Sequence, residues 1–277
     1  MEQKMRVKFW GVRGSLPCPG ADHAVYGGNT SCVEIQCGEE TIIFDAGSGI
    51  RPCGDQLATS NLNSANIFLS HYHHDHIMGF PFFKPAYNKE VSLRVHGPKP
   101  QGMGSVNDAL QAYLSDPFFP VGIDQVMPHV QFETLDPSEI TKIGDVSVSS
   151  KSLNHPGGAL GYRVQSGPLS VCYITDLEHT PGEVDQSLIR FIRGTDLLIY
   201  DSTYTDEEFP AYRGWGHSTW QEAVRLGNAG DAKQIAVFHH DPHHDDRLMS
   251  NVEKKAKALC SRCIVTRDGM ELTLLGT

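Results

Sequence analysis

Short apolar runs recur along the chain, separated by polar segments rich in Gly, Pro, Asn, Asp and Ser. Runs of this length, bounded by turn-forming residues, are typical of β-strands rather than of helices. The pattern predicts strands at 7–10, 32–36, 41–44, 66–69, 92–96, 130–134, 146–149, 160–164, 169–174, 197–200, 235–238 and 272–275.

Helices are predicted at fewer places. Ser105 is followed by Asp108, and Ser218 by Gln221, at the spacing of a capping box, so each serine is expected to begin a helix. Two further stretches have helical patterns, 183–193 and 248–259.

Strands outnumber helices, and no Gly-, Ser- or Pro-rich linker divides the 277 residues. Hydrophobic residues make up 39% of the chain, enough for a sizeable core. We therefore expect a single α/β domain over 1–277, in which two packed sheets are flanked by helices on their outer faces.

The net charge of -10 disfavours a long nucleic acid as partner, because such binding depends on a basic surface. Residues 1–6 lack an apolar signal core and the longest apolar runs are of strand length, so no membrane association is expected. The seven cysteines are an odd number, and Cys260-Ser261-Arg262-Cys263 is a lone C-x-x-C pair that we interpret as incidental. The expected location is the cytoplasm.

Histidines are the chemically informative residues. The chain has 14, and they concentrate at 71–76 and 239–244. Imidazole and carboxylate groups are the ligands that suit zinc and similar divalent ions. The stretch 70–76 is expected to be a loop leaving the strand 66–69, and such a loop lets His71 and His73 reach one ion while Asp75 and His76 reach a second. The alternative is a solvent-exposed, histidine-rich loop.

The segment His71-Tyr72-His73-His74-Asp75-His76 resembles the H-x-H-x-D-H signature of the metallo-β-lactamase superfamily. Three more stretches resemble motifs of that superfamily and stand in the right order: Phe44-Asp45-Ala46-Gly47, Asn154-His155-Pro156-Gly157 and Tyr173-Ile174-Thr175-Asp176. The resemblance runs from about residue 6 to residue 242. It implies an αβ/βα sandwich of two mixed sheets, with the site at one edge of the sheets.

The resemblance also implies a ligand set for two divalent ions, with zinc expected and manganese or iron as alternatives. His71, His73 and His155 would bind one ion, Asp75 and His76 the second, and Asp176 would bridge both. The stretch 235–242 resembles the final strand-His motif of the phosphodiesterase branch. We prefer His239 to His240 as its ligand, since successive residues of an extended chain face opposite ways.

The later part of the chain resembles the ribonuclease Z and phosphodiesterase group. Tyr200-Asp201-Ser202-Thr203 resembles its acid-Ser/Thr motif, and Gly216-His217-Ser218-Thr219 its G-H-S-T motif. The resemblance gives His217 the task of stabilising phosphoryl charge or protonating the leaving alkoxide, and Asp201 the task of orienting His217. The alternative is that His217 is a polar residue at the entry of a helix.

Two further roles are expected. Asp75 would orient a hydroxide held between the ions or take its proton. Arg13, in the turn 11–15, is a candidate phosphate contact, since a guanidinium offers bidentate hydrogen bonds to phosphate oxygens. A surface arginine in a tight turn is the alternative for Arg13.

These expectations point to a dinuclear phosphodiesterase acting on a small phosphodiester, with a cyclic nucleotide as one candidate. The alternatives are hydrolysis of a lactone, β-lactam or thioester, ribonuclease Z-like RNA processing, and a non-hydrolytic metal-binding sensor or redox protein. Ribonuclease Z enzymes often carry an RNA-binding arm between the third-motif histidine and the bridging aspartate, whereas here His155 and Asp176 lie only 21 positions apart. The insertion 98–121 is expected to form a lid or a homodimer contact.

Overall fold

The computed structural model describes residues 3–137 and 139–276. Within those ranges, two seven-stranded sheets form the centre of the molecule. Their strands, in chain order, are β1 (Lys4–Gly11), β2 (Cys32–Cys37), β3 (Glu40–Phe44), β4 (Ser64–Phe68), β5 (Ser92–Pro98), β6 (Gln131–Leu135), β7 (Ile140–Ile143), β8 (Val146–Leu153), β9 (Ala159–Ser166), β10 (Leu169–Ile174), β11 (Leu197–Asp201), β12 (Ile235–Phe238), β13 (Cys263–Val265) and β14 (Glu271–Leu275).

Both sheets are mixed and follow the same plan. The first has the order β14-β1-β2-β3-β4-β5-β6 and the second the order β13-β12-β11-β10-β9-β8-β7. In each, one half is antiparallel and the other half is parallel, running from β3 to β6 in the first sheet and from β10 to β13 in the second. The carboxyl ends of parallel strands meet at one edge of a sheet, so residues that follow them are brought together.

The inner faces of the two sheets share one buried apolar cluster. Phe44 and Phe68 of the first sheet pack with Tyr162 and Tyr173 of the second, with Phe44 and Tyr173 stacked at a centroid distance of 5.0 Å. Alternation along each strand sends the other set of side chains to the outer face, where helices cover them.

Helices lie on both outer faces, as the αβ/βα arrangement requires. Among the described residues, four helices contribute buried side chains to the apolar cluster on the first sheet and three to the cluster on the second. The helices are α1 (Ile50–Leu57), α2 (His74–Ile77), α3 (Val106–Tyr113), α4 (Ile123–Val126), α5 (Gln186–Ile192), α6 (Trp220–Ala229) and α7 (Asp246–Leu259). The predicted fold class, two mixed sheets flanked by helices, is confirmed. No helix in the described part of the chain is long and apolar enough to cross a bilayer.

Two local predictions were wrong. Helix α6 is capped by Thr219, whose Oγ1 accepts from the backbone N–H of Glu222, rather than by Ser218, whose hydroxyl lies 2.7 Å from His179 Nδ1. The stretch 70–76 is a loop only in its first part, because His74–Ile77 form the single turn of α2.

Candidate metal centre

The site residues follow the ends of parallel strands. His71 comes after β4, Asp176 after β10 and His239 after β12, while Asp201 is the last residue of β11. His155 follows β8 on the connection into β9. The sheet plan therefore brings together side chains that are far apart in the sequence.

Three histidines form one group. His71, His73 and His155 each offer a ring nitrogen within 4.8 Å of the others. His155 Nε2 lies 3.1 Å from His73 Nδ1, and the Nε2 atoms of His71 and His155 lie 3.7 and 3.8 Å from Asp176 Oδ1. This spacing suits a single ion placed among the three rings.

A second group lies on the other oxygen of Asp176. His76 Nε2 and His239 Nε2 are 3.2 and 3.4 Å from Asp176 Oδ2. Asp75 Oδ2 lies 3.1 Å from His76 Nε2 and 3.3 Å from His239 Nε2. Because Oδ1 of Asp176 faces the first group and Oδ2 the second, its carboxylate stands between them, as a bridging ligand would.

Four of the imidazoles are oriented by a bond to their other ring nitrogen. Nδ1 of His71 lies 3.0 Å from Ser70 Oγ, and Nδ1 of His76 lies 2.8 Å from Asp45 Oδ2. Nδ1 of His155 lies 2.8 Å from a backbone carbonyl and Nδ1 of His239 3.0 Å from a threonine hydroxyl; the two partners are Gly216 and Thr203. A protein partner at Nδ1 leaves Nε2 free for a metal.

Two divalent ions fit this donor set. The Nε2 atom of His71 is buried without a hydrogen-bond partner, which a ligand atom awaiting an ion would explain. Asp75, Asp176 and Asp201 are also buried in this small volume, and uncompensated buried carboxylates are costly unless cations neutralise them. Burial also lowers the pKa of His71 well below its usual value, which keeps that ring neutral and able to coordinate.

Several residues around the centre have a strained backbone. Asp45, Asp176 and His239 adopt φ angles of 59°, 54° and 64°, and each directly follows a strand or stands two residues beyond its end. Ser15 has a φ of 60°, and its N–H donates to Asp75 Oδ2 at 2.7 Å. Non-glycine residues are rare in this region and persist where the surroundings hold them in place, often at functional sites.

The His217 ring lies between His155 of the first group and His239 of the second, and its Nδ1 is turned toward Asp201. Its Nδ1 is 2.9 Å from Asp201 Oδ2 and 3.7 Å from Asp176 Oδ1. Burial would lower the pKa of His217, but the charge of Asp201 and the hydrogen bond to it outweigh burial and raise that pKa to about 9. The Asp201 carboxylate is itself fixed, since it accepts from the N–H groups of Asp176, Thr203 and Ser218.

The loop that leads into the Gly216-His217-Ser218-Thr219 motif supports His155, a role that the sequence did not indicate. Gly216, whose carbonyl oxygen meets His155 Nδ1, has a φ of +87°, and a Cβ there would lie 2.3 Å from that nitrogen. Glu178 fixes the loop by accepting hydrogen bonds from the N–H groups of Gly214 and Gly216. The sequence did not indicate Glu178, and although Thr203 and Gly216 stand in quoted motifs, their contacts with His239 and His155 were not predicted because they are long-range.

Arg13 and His240 belong to neither metal group. Arg13 is fully buried, and its guanidinium donates to the carbonyl oxygens of Gly27, Asp241 and His244. It ties loops together rather than facing solvent, so this arrangement does not support the expected phosphate contact. His240 points away from the centre toward the carbonyl of Thr266, whereas its neighbour His239 points into it.

A comparison with known families gives the class. The profile of the beta-lactamase superfamily domain matches residues 40–240, more than half of the chain. The chain therefore belongs to the metallo-β-lactamase superfamily, as its motifs predicted, and is a hydrolase of that superfamily with a centre suited to divalent metal.

The curated relatives agree with the branch expected from the motifs. Ribonuclease Z of Pyrococcus horikoshii is 22% identical over 320 residues, covering 98% of this chain and 97% of that protein. Ribonuclease Z of Pyrococcus furiosus is 23% identical, covering 95% and 94%.

Solved structures share the fold over nearly the whole chain. The metallo-beta-lactamase fold protein YhfI from Bacillus subtilis superposes with a TM-score of 0.72 at 20% identity, covering 98% of this chain and 100% of that one. A diphosphatase from the PhnP family superposes with a TM-score of 0.74 at 15% identity, covering 99% of both.

Proposed function

We propose that the protein is a dinuclear metal-dependent phosphodiesterase that hydrolyses a small phosphodiester, with a cyclic nucleotide as the leading candidate. The observation that carries this proposal is the placement of His217 and Asp201 beside the metal centre. An imidazole held by a buried carboxylate at this place suits the protonation of an alkoxide leaving group, as in the cleavage of a phosphodiester.

The proposed ligands of the first ion are His71, His73 and His155, and those of the second are Asp75, His76 and His239, with Asp176 shared. Two divalent ions, with zinc expected, would supply an activated water and neutralise charge on the phosphoryl oxygens.

Asp75 has a second proposed role besides ligation. Its Oδ2 accepts the N–H of Ser15 and faces the Nε2 atoms of His76 and His239. A carboxylate anchored in this way is positioned to orient an attacking water or to accept its proton. The left-handed backbone at Ser15 aims that N–H at Asp75.

The proposed proton donor is Nε2 of His217. Because Nδ1 faces the Asp201 carboxylate, the pair holds an imidazolium whose Nε2–H is left for the substrate. The charge of Asp201 and its hydrogen bond to Nδ1 raise the pKa of His217 and so favour the protonated ring. Its side chain is 11% exposed, so it borders the open side of the centre rather than the core.

RNA processing is the second candidate, and the ribonuclease Z names of the relatives favour it. Two observations support the small diester instead. Strands β9 and β10 occupy most of the span between His155 and Asp176, and their connection is the two-residue turn Gly167-Pro168, which leaves no space there for an arm. The net charge of -10 also provides little phosphate-neutralising surface.

The proposal is tested with protein reconstituted with zinc or manganese and assayed on four substrates: bis(p-nitrophenyl) phosphate, a phosphomonoester, a lactone and a β-lactam. We expect hydrolysis of the diester, and its loss in the His155→Ala variant. His243→Ala is a matched control, because the His243 side chain is 93% exposed. Turnover of only the lactone or the β-lactam would contradict the proposal.

A further inference from the structure

A cavity of about 580 Å³ opens directly on the first metal group and has no role in the mechanism above. His71 and His73 line it at one end. Its volume lies within the usual range of pockets for small organic ligands, roughly 300–1,000 Å³. A ligand bound to the metal centre on this side would extend into it.

The walls of the cavity are mainly apolar and come from both halves of the fold. The insertion 98–121 contributes a proline-rich loop and helix α3, and the second sheet contributes the start of β9 and the turn before it. The described lining residues include no carboxylate and a single cation, Lys99. Such walls favour an uncharged organic group over a chain of phosphates.

Helix α3 leaves the space open through its small residues. Ala109, Ala112 and Tyr113 all line the cavity, and their spacing of three and four places them on one face of the helix. The two alanines leave room in the cavity that larger side chains would fill. Ala112 is exposed, so its size is not required by the core.

Hydrogen bonds tie the cavity walls to the metal-binding segment. The Tyr113 hydroxyl lies 3.0 Å from His74 Nδ1, and the Tyr72 hydroxyl donates to the carbonyl of Pro98 at 2.6 Å. Each bond joins the insertion to the H-x-H-x-D-H segment. The cavity is therefore formed before a ligand arrives, which lowers the entropic cost of binding.

We infer that this cavity binds an aromatic group, such as a nucleobase or aryl ring, of a ligand whose phosphoryl end is held at the metal centre. The inference rests on the proposed function, since it takes the metal-bound end to be a phosphoryl group. Aromatic rings suit the lining, because Tyr72, Tyr113 and the thioether of Met103 all favour contact with a ring face or edge. The insertion thus selects the substrate rather than serving only as a lid.

The test measures binding rather than turnover. Zinc-reconstituted protein is titrated by calorimetry with phenylphosphonate and with methylphosphonate, which share the metal-binding end and differ only in the organic group. We expect phenylphosphonate to bind roughly 10- to 100-fold more tightly, the ratio corresponding to burial of one ring-sized apolar group.

The variant Ala112→Phe fills the cavity from an exposed position. We expect it to weaken phenylphosphonate binding at least about tenfold and to leave methylphosphonate binding unchanged. Ala112→Asp should act in the same direction, because it places a carboxylate in the apolar wall. Gln111→Phe is the matched control: it adds the same ring to the next position of α3, whose side chain does not line the cavity.

Equal affinity of the parent for the two phosphonates would overturn the inference, as would an equal loss of both in Ala112→Phe or no binding of either. The binding experiment can fail while the proposed phosphodiesterase activity holds, and the reverse is also possible. A preference for phenylphosphonate without diester hydrolysis would leave the cavity assignment standing and remove the phosphodiesterase, whereas diester hydrolysis with equal binding would do the reverse.

Discussion

Nδ1 of His217 lies 2.9 Å from Oδ2 of Asp201, and this same oxygen accepts the backbone N–H of Asp176 at 3.0 Å. The proposed proton donor and the residue between the two metal groups therefore share one buried carboxylate. We propose Asp201 as a positioning residue, because its carboxylate contacts both the ring of His217 and the backbone of Asp176.

The first prediction concerns the leaving group. His217→Ala should slow hydrolysis of a diester with an alkoxide leaving group by roughly 10²- to 10⁴-fold, the usual worth of general acid-base help. The decrease in rate should be much smaller for a diester whose leaving group is p-nitrophenolate, since that group leaves without a proton. The measurements are the hydrolysis rates of both substrates and the metal content of the variant by elemental analysis. Equal losses on the two substrates, or a loss of metal, would remove the proton-donor role.

The second prediction uses two adjacent histidines. The parent should hold about two ions per chain, since its donors exceed one tetrahedral site. His239→Ala should lower that content, whereas His240→Ala should not, because His240 faces Thr266 instead of the centre. Elemental analysis of the two purified variants decides the matter. Reduced metal in His240→Ala with parental metal in His239→Ala would reverse the ligand assignment.

The third prediction separates backbone strain from a clash at His155. Gly214 and Gly216 have φ angles of +88° and +87°, but a Cβ has open space at Gly214 and meets the His155 ring at Gly216. Alanine at either position carries the same conformational cost of about 1–2 kcal/mol. Gly216→Ala should also reduce metal affinity by displacing His155. Metal titration of both variants is the measurement, and identical affinities would mean that the Gly216 carbonyl does not position His155.

The fourth prediction concerns Asp45, whose Oδ2 lies 2.8 Å from His76 Nδ1 and accepts from the Tyr173 hydroxyl at 2.7 Å. Asp45→Asn should weaken binding of the second ion about 10- to 100-fold, as is typical when the outer partner of a ligating histidine is lost. Tyr173→Phe is the control, because it removes a donor to Asp45 and keeps the carboxylate. Competition with a metal indicator measures both affinities. A greater loss in Tyr173→Phe than in Asp45→Asn would contradict this role.

Local patterns predicted much of the fold. Every predicted strand falls on an observed one, and Ser105 caps α3 as expected, its side chain accepting from the N–H of Asp108. The sequence did not predict strand β13, because it has only three residues. It did not predict β7 either, because this is a short edge strand in a hairpin with β8. Helix α1 was not predicted, because Pro52 and Gly54 lower the helical propensity of its sequence. The helix forms nevertheless, since a proline is tolerated in a first turn.

The sequence predicted those site residues that stand in recognisable motifs. The metal-binding residues stand in short, ordered patterns, so the sequence indicates them although they are distant along the chain. The motifs do not say which histidine each of Asp45, Thr203 and Gly216 contacts. The burial of Arg13 depends on carbonyl groups of two loops more than 200 residues apart. Such long-range contacts are set by tertiary packing and are visible only in the structure.

The most direct test of the central claim compares two substrates under one condition. Zinc-reconstituted protein at physiological salt is given a cyclic mononucleotide and, separately, a precursor transfer RNA, with His155→Ala as the inactive reference. We predict hydrolysis of the cyclic mononucleotide and little trimming of the RNA. Efficient, salt-sensitive trimming of the RNA together with no hydrolysis of the cyclic mononucleotide would contradict the account.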